Sequence, residues 1–544
     1  MLDNIPILSL IVLTPLLGVL ALLFVPKTNG RLIQWIGIGT TFLPLLLSAW
    51  LYASFDLTAE GAQFAESVRW IAISLNSELL ERLGSVETYR VQFDYALAAD
   101  GISLPMVFLT AFVATMAAFA SVHIKKRFKT YYILFLLLET GMLGVFLARD
   151  LFLFFLFFEI TLVPMFFLIG IYGLYEREKA ANRFLVYNGL GSALMLIAFL
   201  TLIATAGMSI EGASFIYSGS YDVIYNNLHD AASFANMGPE FAQNFPNPFF
   251  LTEGHRTLVF FLLLIAFGIK LPVFPFHTWM LRVHTEAPPS IVMIHSGVLL
   301  KMGAYGLLKF GVFLFPNEAK QWALLIAVLG VVNILYGAAL AFVQKEFKLV
   351  LAYSSISHMG IVLLAIAAMN GIGVQAAVFQ MISHGLISAL MFLLVGSIYE
   401  RTSSTQLSAL GGFAKPMPFM SGMLLVAGMA SLGLPGLSGF VSEFLAFLSL
   451  FDAMPILTAV GCLGIIFAAA YVLRGVLAIT FGSASETALT YKDARWVEAV
   501  PMIALAAFIF LIGIYPAVLS EPLQTTIGGF EQLLSGAAEA NGGG

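Results

Sequence analysis

The sequence has very little charge and almost no cysteine. Only 10% of its 544 residues are Asp, Glu, Lys or Arg and 60% are hydrophobic, and no soluble fold has that balance. The single cysteine, Cys462, excludes an intramolecular disulfide, and there is no cysteine cluster for iron–sulfur or zinc ligation. No Gly-x-Gly-x-x-Gly motif lies in a βαβ context. We therefore predict an all-α membrane protein that binds no cofactor, metal or nucleic acid of its own.

The hydrophobic residues form runs long enough to cross a hydrocarbon core of roughly 30 Å. We predict fourteen spans, at 5–25, 33–54, 102–122, 131–148, 151–173, 184–206, 257–281, 290–315, 321–343, 349–369, 372–398, 417–450, 455–481 and 498–520. The seventh and twelfth contain breaks. Two long loops remain, 55–101 and 207–256, and alternation in 68–74 and 89–94 predicts a β-hairpin. An acid and no Lys or Arg precede the first run, which indicates a retained helix and not a signal peptide.

Lysine and arginine are distributed unevenly between the two sets of loops. Loops after odd-numbered spans carry 16 of these residues, whereas loops after even-numbered spans and the termini carry 6. Because positively charged loops stay in the cytoplasm, both termini are predicted to lie on the non-cytoplasmic side.

A Leu-Pro break occurs in both interrupted spans. Residues 269–272 are Ile-Lys-Leu-Pro, and residues 433–435, five spans later, are Gly-Leu-Pro. Five is odd, so a tandem duplication of five helices is inverted in the membrane, and paired broken helices in inverted repeats are typical of transporter sites. We divide the chain into N-terminal helices with an outer hairpin loop (1–130), a first five-helix repeat (131–315), a second (316–481), and a C-terminal helix with an acidic, Gly-rich tail (482–544).

Ionisable residues inside the apolar runs cost about 2.5–3.5 kcal/mol each on insertion scales and usually have a function. The candidates for a proton relay are Glu159, Lys270, Lys301, His358, His384 and Glu443. A lone buried histidine is equally well explained by packing, but the two lysines and two glutamates together are not. Glu139 is compatible with an interhelical hydrogen bond in its neutral form. Lys309 is expected to extend its ammonium to the membrane surface, and Arg474 to be a structural partner.

The helix break beside Lys270 suggests how the candidate relay residues could move a proton. Two prolines remove backbone donors there, and irregular backbone at membrane depth is tolerated only inside protein or beside a wet cavity. If Glu159 pairs with Lys270, separating them allows the lysine proton to move on. Lys301, the two histidines and Glu443 would continue the path, with water between them. Polar residues available to orient that water are Asn188, Asn333, Tyr336, Ser354 and Ser357.

Seven motifs lie between residues 158 and 440. They are Phe-Glu-Ile-Thr-Leu-Val-Pro at 158–164, Ile-Lys-Leu-Pro at 269–272, Phe-His-Thr-Trp at 276–279, His-Thr-Glu-Ala-Pro at 284–288, Leu-Leu-Lys-Met-Gly-Ala-Tyr-Gly at 299–306, Tyr-Ser-Ser-Ile-Ser-His-Met-Gly at 353–360 and Gly-Leu-Pro-Gly-Leu-Ser-Gly-Phe at 433–440. This set resembles the antiporter-like subunits of respiratory complex I, most closely the M type related to mitochondrial NADH dehydrogenase subunit 4. Two features depart from the family: Met-Leu-Arg-Val-His at 280–284, where many members have Leu-Pro-Asp-Ala-His, and His295.

The resemblance implies about fourteen transmembrane helices, two inverted five-helix repeats and one proton channel per subunit. It places the family's ion pair, central axis and terminal acid at Glu159 and Lys270, then Lys301 and His358 with His384 beside them, then Glu443. The chain would be a non-redox subunit of proton-translocating NADH:quinone oxidoreductase in the bacterial cytoplasmic (inner) membrane. It would contact lipid and other membrane-arm subunits, including neighbouring antiporter-like subunits. NADH, FMN, iron–sulfur clusters and quinone would be bound by those partner subunits.

Three functions remain open from the sequence. A complex I subunit moves protons while quinone reduction elsewhere drives it. A subunit of a multi-subunit cation/proton antiporter shares most of the same motifs. An enzyme with its own NADH or quinone site is disfavoured, because no nucleotide motif or metal-ligand cluster is present. The length argues against the longer L type, and the 299–306 motif favours the M type over antiporter subunits.

Overall fold

The computed structural model describes residues 6–74, 88–121, 124, 126–211, 214–230, 233, 251–484, 486 and 488–542. Its helices, in chain order, are α1 (Ile7–Phe24), α2 (Gly30–Ala53), α3 (Ser103–Ala120), α4 (Phe128–Leu147), α5 (Leu151–Tyr172), α6 (Arg177–Ala204), α7 (Tyr221–His229), α8 (Glu253–Lys270), α9 (Thr278–Glu286), α10 (Pro289–Val312), α11 (Pro316–Gln321), α12 (Ala323–Val343), α13 (Phe347–Ala367), α14 (Gly371–Thr402), α15 (Pro418–Ser431), α16 (Ser438–Phe451), α17 (Pro455–Thr480), α18 (Trp496–Ile514) and α19 (Ala517–Gly542).

Twelve of these helices are long and apolar enough to cross a membrane, counted over the described residues. They are α1 to α6, α10, α12 to α14, α17 and α18. Each corresponds to one predicted span, so the mainly helical, polytopic fold is confirmed. Polar side chains fix where several of them begin: Asp150 accepts hydrogen bonds from the first amides of α5, and Asn370 does the same for α14. The acidic N-terminus, residues 1–5, lies outside the described residues.

The two remaining predicted spans are broken, as the sequence indicates. The seventh is α8 followed by α9, with an interruption between Lys270 and Thr278. The twelfth is α15 followed by α16, with an interruption between Ser431 and Ser438. A total of fourteen crossings and the inverted repeat stay predictions.

The eighth predicted span, 290–315, is not one regular α-helix. Within α10, wide π-helical turns at His295–Leu299 and Leu307–Val312 lie on either side of an α-helical segment, Leu300–Gly306. An extra residue per turn rotates the side chains that follow, and such turns are frequent at functional sites. The apolar segments of α10 and α14 are completely buried inside the protein, so these two helices form the centre of the molecule.

The predicted hairpin is present and belongs to a larger sheet. Strands β1 (Gln63–Ser74) and β2 (Thr88–Ala99) pair in antiparallel fashion. Strands β3 (Met208–Glu211) and β4 (Ser214–Ser218) complete the order β1-β2-β4-β3, with β2 and β4 parallel. The rest of the 207–256 loop lies partly outside the described residues.

The segment assigned to an acidic, Gly-rich tail is largely helical. It continues α19, and the buried residues Leu519, Leu523, Ile527 and Phe530 lie on one side of that helix. Phe530 stacks on Phe313 with ring centroids 4.9 Å apart, beyond the end of α10. The helix therefore lies against the side of the molecule that carries the sheet.

Basic loops gather on the opposite side. Contacts that join them are Lys129 with the carbonyls of Leu23 and Val25, Tyr172 with Arg127, Arg282 with Glu176, Lys348 with Thr285, Thr405 with Glu346, and Arg401 with Lys492 and Asp493. We call this side the basic face, and the side of the sheet and α19 the hairpin face.

Candidate functional site

The first helix break is held by an asparagine from α12. α8 ends at Lys270, and Pro272 has no backbone donor to continue it. Asn333 accepts a hydrogen bond from the amide of Phe274 at 2.8 Å through Oδ1. Its Nδ2 donates to the carbonyl oxygen of Pro272 at 3.4 Å. Asn333, which we expected to orient relay water, therefore satisfies the broken backbone.

Lys270 is buried and lies among aromatic rings. Its side chain is 1% exposed, and Nζ has no hydrogen-bond partner among the described residues. The ammonium lies 4.9 Å from the ring centroid of Phe158 and 5.5 Å from that of Phe184. Attraction to the faces of these rings partly replaces the lost hydration.

The expected ion pair between Glu159 and Lys270 is not closed in this structure. No oxygen of Glu159 forms an ion pair with Lys270 among the contacts of the described residues, and Glu159 Oε1 is buried without a partner. The physical reason is the position of the ammonium over the two rings, one of which belongs to the residue next to Glu159. Glu159 Oε1 and Lys270 Nζ are thus both buried atoms without a hydrogen-bond partner among the described residues, and the pair is in an open arrangement.

Lys301 is the second buried lysine and it has two direct partners. Its ammonium donates to the carbonyl oxygen of Ser296, within the first π-helical turn. It also lies 2.7 Å from Nδ1 of His384 on α14. A charged donor hydrogen-bonded to an imidazole nitrogen is a geometry in which a proton can transfer.

The contacts continue from His384 to the second break. The rings of His384 and His358 have centroids 5.4 Å apart. His358 Nδ1 lies 3.1 Å from Glu443 Oε1, and His384, His358 and Glu443 are all buried residues. Four of the six predicted relay residues therefore form one uninterrupted series: Lys301, His384, His358 and Glu443.

A small polar cavity lies along this series. Its volume is about 20 Å³, enough for about one water molecule. The polar residues that line it are Ser354, Ser355, His358, Gln380, Ser383, His384, Ser388, Ser431 and Glu443. Of the residues expected to orient water, Ser354 is here, whereas Ser357 donates to Ile334, Asn188 donates to Phe184, and Tyr336 contacts His277.

The second break requires glycine beside the terminal acid. Gly433 has φ +69°, which side chains rarely allow, and a Cβ there would lie 3.2 Å from Glu443 Oε2. α16 then begins at Ser438 and carries Glu443 inward. The break thus turns the chain within the few residues that separate α15 from the carboxylate.

Two glycines bring the Lys301 and His384 helices into backbone contact. A Cβ added at Gly385 on α14 would lie 2.8 Å from the carbonyl oxygen of Gly297 on α10. That distance is shorter than real Cβ contacts, so neither helix can move closer and neither position tolerates a larger residue without a shift.

The sequence led to expectations for three other ionisable residues of the apolar runs: Glu139, Arg474 and Lys309. Both carboxylate oxygens of Glu139 are buried without a hydrogen-bond partner among the described residues, so the interhelical bond is wrong in this arrangement. Arg474 is a structural partner, because it donates to the carbonyls of Phe342 and Gln344 at the basic face.

Lys309 does not extend to the membrane surface, and that prediction is wrong. It is 5% exposed and donates to Asp100 Oδ2 at the start of α3. Arg149 approaches the same oxygen at 3.5 Å and binds Asp222 at 2.5 Å. A buried carboxylate that accepts from two cations is a better partner than the lipid headgroup region. The sequence did not identify Asp100 as the partner of Lys309, because Asp100 precedes α3 and lies 209 residues away from Lys309 along the chain.

A second histidine contact was also missed. His284 Nε2 lies 2.9 Å from His295 Nδ1, and both side chains are fully buried. His295 is in the first π-helical turn, next to Ser296. The two segments in which this chain departs from the family pattern, 280–284 and His295, are thus adjacent in space. The only sequence signal for this contact was that both segments depart from the pattern.

No group of three or more metal-ligating side chains occurs in the described ranges.

The comparisons with known proteins agree with this arrangement. Residues 148–468 match the family model described as NADH:quinone oxidoreductase/Mrp antiporter, TM. The chain is 35% identical to NADH-quinone oxidoreductase subunit M of Rhodobacter capsulatus, over 96% of this chain and 95% of that protein. It is also 35% identical to NAD(P)H-quinone oxidoreductase chain 4 2 of Thermosynechococcus vestitus, over 98% of this chain and 93% of that protein.

A solved structure matches over almost the same length. A chain of respiratory complex I from Thermus thermophilus with bound NADH superimposes with a TM-score of 0.79 at 27% identity, over 97% of this chain and 99% of that one. Sequence and fold agree over nearly the full length, and the matched family model contains both helix breaks and all the buried relay residues. This chain belongs to the family of membrane subunits of NADH:quinone oxidoreductases and Mrp antiporters.

Proposed function

We propose that this chain is the proton-translocating, antiporter-like subunit of the membrane arm of a bacterial NADH:quinone oxidoreductase. The observation that carries the proposal is the uninterrupted series from Lys301 through His384 and His358 to Glu443. The subunit has no redox site of its own. NADH, FMN, iron–sulfur clusters and quinone belong to partner subunits, and quinone reduction there supplies the energy.

Each relay residue has one task. Lys301 takes a proton that originates at the basic face and passes it to Nδ1 of His384. His358 carries it on, with the cavity water as a bridge, and Glu443 is the last acceptor before exit. Serine hydroxyls around the cavity orient that water.

The Glu159–Lys270 pair controls the sequence of steps. When the pair is closed, the carboxylate neutralises the ammonium. When it is open, as here, the positive charge of Lys270 acts through a low-dielectric core on the protonated Lys301 and favours release toward His384. Because such a pair costs about 3–5 kcal/mol when one partner is removed, variants must be checked for assembly.

The orientation follows from the basic loops. The basic face is assigned to the cytoplasm of a bacterial inner membrane, and both termini to the other side. The chain is assigned to four parts, 1–130, 131–315, 316–481 and 482–544, with one broken helix in each of the two middle parts. Partners on its flanks are other membrane-arm subunits, including antiporter-like ones.

The test uses the assembled complex in inverted membrane vesicles. Lys301→Arg keeps a positive charge but cannot release its proton, since arginine is effectively always protonated. We expect an assembled complex that pumps poorly per NADH oxidised. Wild-type pumping by this variant would overturn the proposal.

The alternative within the family is a cation/proton antiporter subunit. That function predicts sodium- or potassium-dependent proton exchange in vesicles without NADH. NADH-driven pumping that needs Lys301 and is independent of these cations excludes it.

A further inference from the structure

The His284–His295 pair is a hydrogen-bonded imidazole dyad in the interior of the subunit. The 2.9 Å contact joins Nε2 of His284 to Nδ1 of His295. The outer nitrogens, His284 Nδ1 and His295 Nε2, are buried without a hydrogen-bond partner among the described residues. Buried polar atoms are normally satisfied, so two free nitrogens at the two ends of one pair need an explanation.

Either ring can be the donor in this contact, and one of the two tautomer arrangements allows the dyad to pass a proton from His284 to His295. When His284 Nε2 donates, Nδ1 of that ring carries no proton and is a free acceptor. His295 Nδ1 is then the acceptor, and its Nε2 carries a proton that it can donate. A proton taken up at His284 Nδ1 therefore displaces one across the contact, and the proton on His295 Nε2 leaves. One proton enters and one leaves, and both rings end in the opposite tautomer, which must revert before the next transfer.

The dyad lies between the basic face and the relay. A cavity of about 660 Å³ opens at that face, and Arg282, Thr285 and Glu286 of α9 line it. His284 is beside Thr285 but belongs to the buried side of α9. At the other end, His295 is beside Ser296, whose carbonyl accepts from Lys301.

Aromatic rings enclose the dyad. Phe392 lies 5.0 Å from the ring of His284, and Trp279 and Phe184 lie 5.4 and 6.2 Å from the ring of His295. These rings offer no alternative proton acceptor. The two imidazoles are therefore the path for a proton between the rings of Phe392, Trp279 and Phe184. Three lysines lie near the dyad: Lys301 follows His295 on α10, Lys270 at the end of α8 acts electrostatically on His295, and Lys348 on α13 donates to the carbonyl of Thr285 at 3.3 Å.

We propose that His284 and His295 are the intake of the relay and pass protons from the cavity at the basic face to Lys301. The inference rests on the proposed function. It assigns a transfer role to His295, at which this chain departs from the family pattern, and pairs it with His284, the histidine of residues 280–284 that the pattern shares.

The decisive variant is His295→Gln in the assembled complex. Glutamine fits a similar space and can keep a hydrogen bond to His284, but its amide does not exchange protons in this way. If the dyad transfers protons, pumping should fall about hundredfold, which is the lower end of general acid–base contributions. His284→Gln should behave alike, and the residual rate should rise as the medium at the basic face is acidified. His229→Gln is the control, because His229 is a half-buried histidine of the hairpin face that contacts the carbonyl of Phe313.

Lys301→Arg in the same assay separates the two proposals. Normal pumping by Lys301→Arg would refute the relay itself. Impaired pumping by Lys301→Arg with pumping within twofold of wild type by assembled His295→Gln would refute the intake alone. If His295→Gln fails to assemble, His295→Asn and His284→Gln are scored by the same criterion, and wild-type pumping by either overturns the inference.

Discussion

Replacement of Asp100 by Asn should destabilise the subunit more than any other single change at the hairpin face. Asp100 uses its two oxygens differently. Oδ1 accepts from the amides of Ile102 and Ser103 and caps α3, whereas Oδ2 accepts from Lys309 and faces Arg149. Asn keeps the cap but places an NH2 group against two cations. The expected cost is that of an unpaired buried charge, about 3–5 kcal/mol.

The pH dependence of this pair has a definite sign. Burial alone would raise the pKa of Asp100, but Lys309 and Arg149 outweigh it and lower the pKa to about 2. A lowered pKa means that the stabilisation is fully present above the unfolded value of 3.8 and is lost as pH falls toward 2. The pair should therefore contribute equally at every pH between 5 and 8, roughly the range in which most proteins are most stable.

The assay is the fraction of this subunit retained in the complex through a heat gradient, followed on native gels. Asp222→Asn is the matched control, because Asp222 binds the same Arg149 but its side chain is 60% exposed, and exposed pairs contribute about 0–1 kcal/mol. Adding Lys309→Met to Asp100→Asn should recover part of the loss, since no buried ammonium is then unpaired. A retention curve for Asp100→Asn that coincides with that of Asp222→Asn would refute the reasoning.

Three further predictions concern the relay and the breaks. Lys270→Arg should assemble but pump poorly in inverted vesicles, because reference pKa values of arginine exceed those of lysine by about 2 units or more, so release is at least about hundredfold rarer; normal pumping would make the lysine a fixed charge only. Glu443→Gln should block pumping while Glu443→Asp retains part of it, measured per NADH oxidised, and equal rates in the two variants would contradict a terminal acid. Asn333→Ala should lower heat stability by about 1–3 kcal/mol, because the amide of Phe274 and the carbonyl of Pro272 lose their partner; unchanged retention in the heat gradient would show that water replaces it.

The sequence predicts the two helix breaks and identifies the candidate relay residues, because prolines and ionisable residues are conspicuous in an apolar chain, and the relay itself stays a prediction. A proline or a charged residue within a hydrophobic run has few explanations, and Lys301, His384, His358 and Glu443 were each identified in that way. Their mutual contacts were not, since periodicity relates residues of one helix and these come from α10, α14, α13 and α16.

Two features could not be predicted from the sequence, for different physical reasons, whereas a third could have been. Lys309 has a partner 209 residues away, and no local pattern reports such a contact. The residue composition of the π-helical turns of α10 does not distinguish them from regular α-helix, yet the first of these turns positions His295. The helix α19 was within reach, because Leu519, Leu523, Ile527 and Phe530 follow a helical period, but the acidic and Gly-rich composition directed attention away from it.

The contact between Gly297 and Gly385 sets a limit on how the relay can be altered. The 2.7 Å distance from Lys301 to His384 exists only because α10 and α14 meet without side chains between them. A methyl group at Gly385, which binds no proton, would lie 2.8 Å from the carbonyl oxygen of Gly297, so the two helices would have to shift apart and the step from Lys301 to His384 would lengthen. The rate of proton transfer is thus sensitive to the volume of residues that take no chemical part in it, and a survey of ionisable groups alone would overlook them.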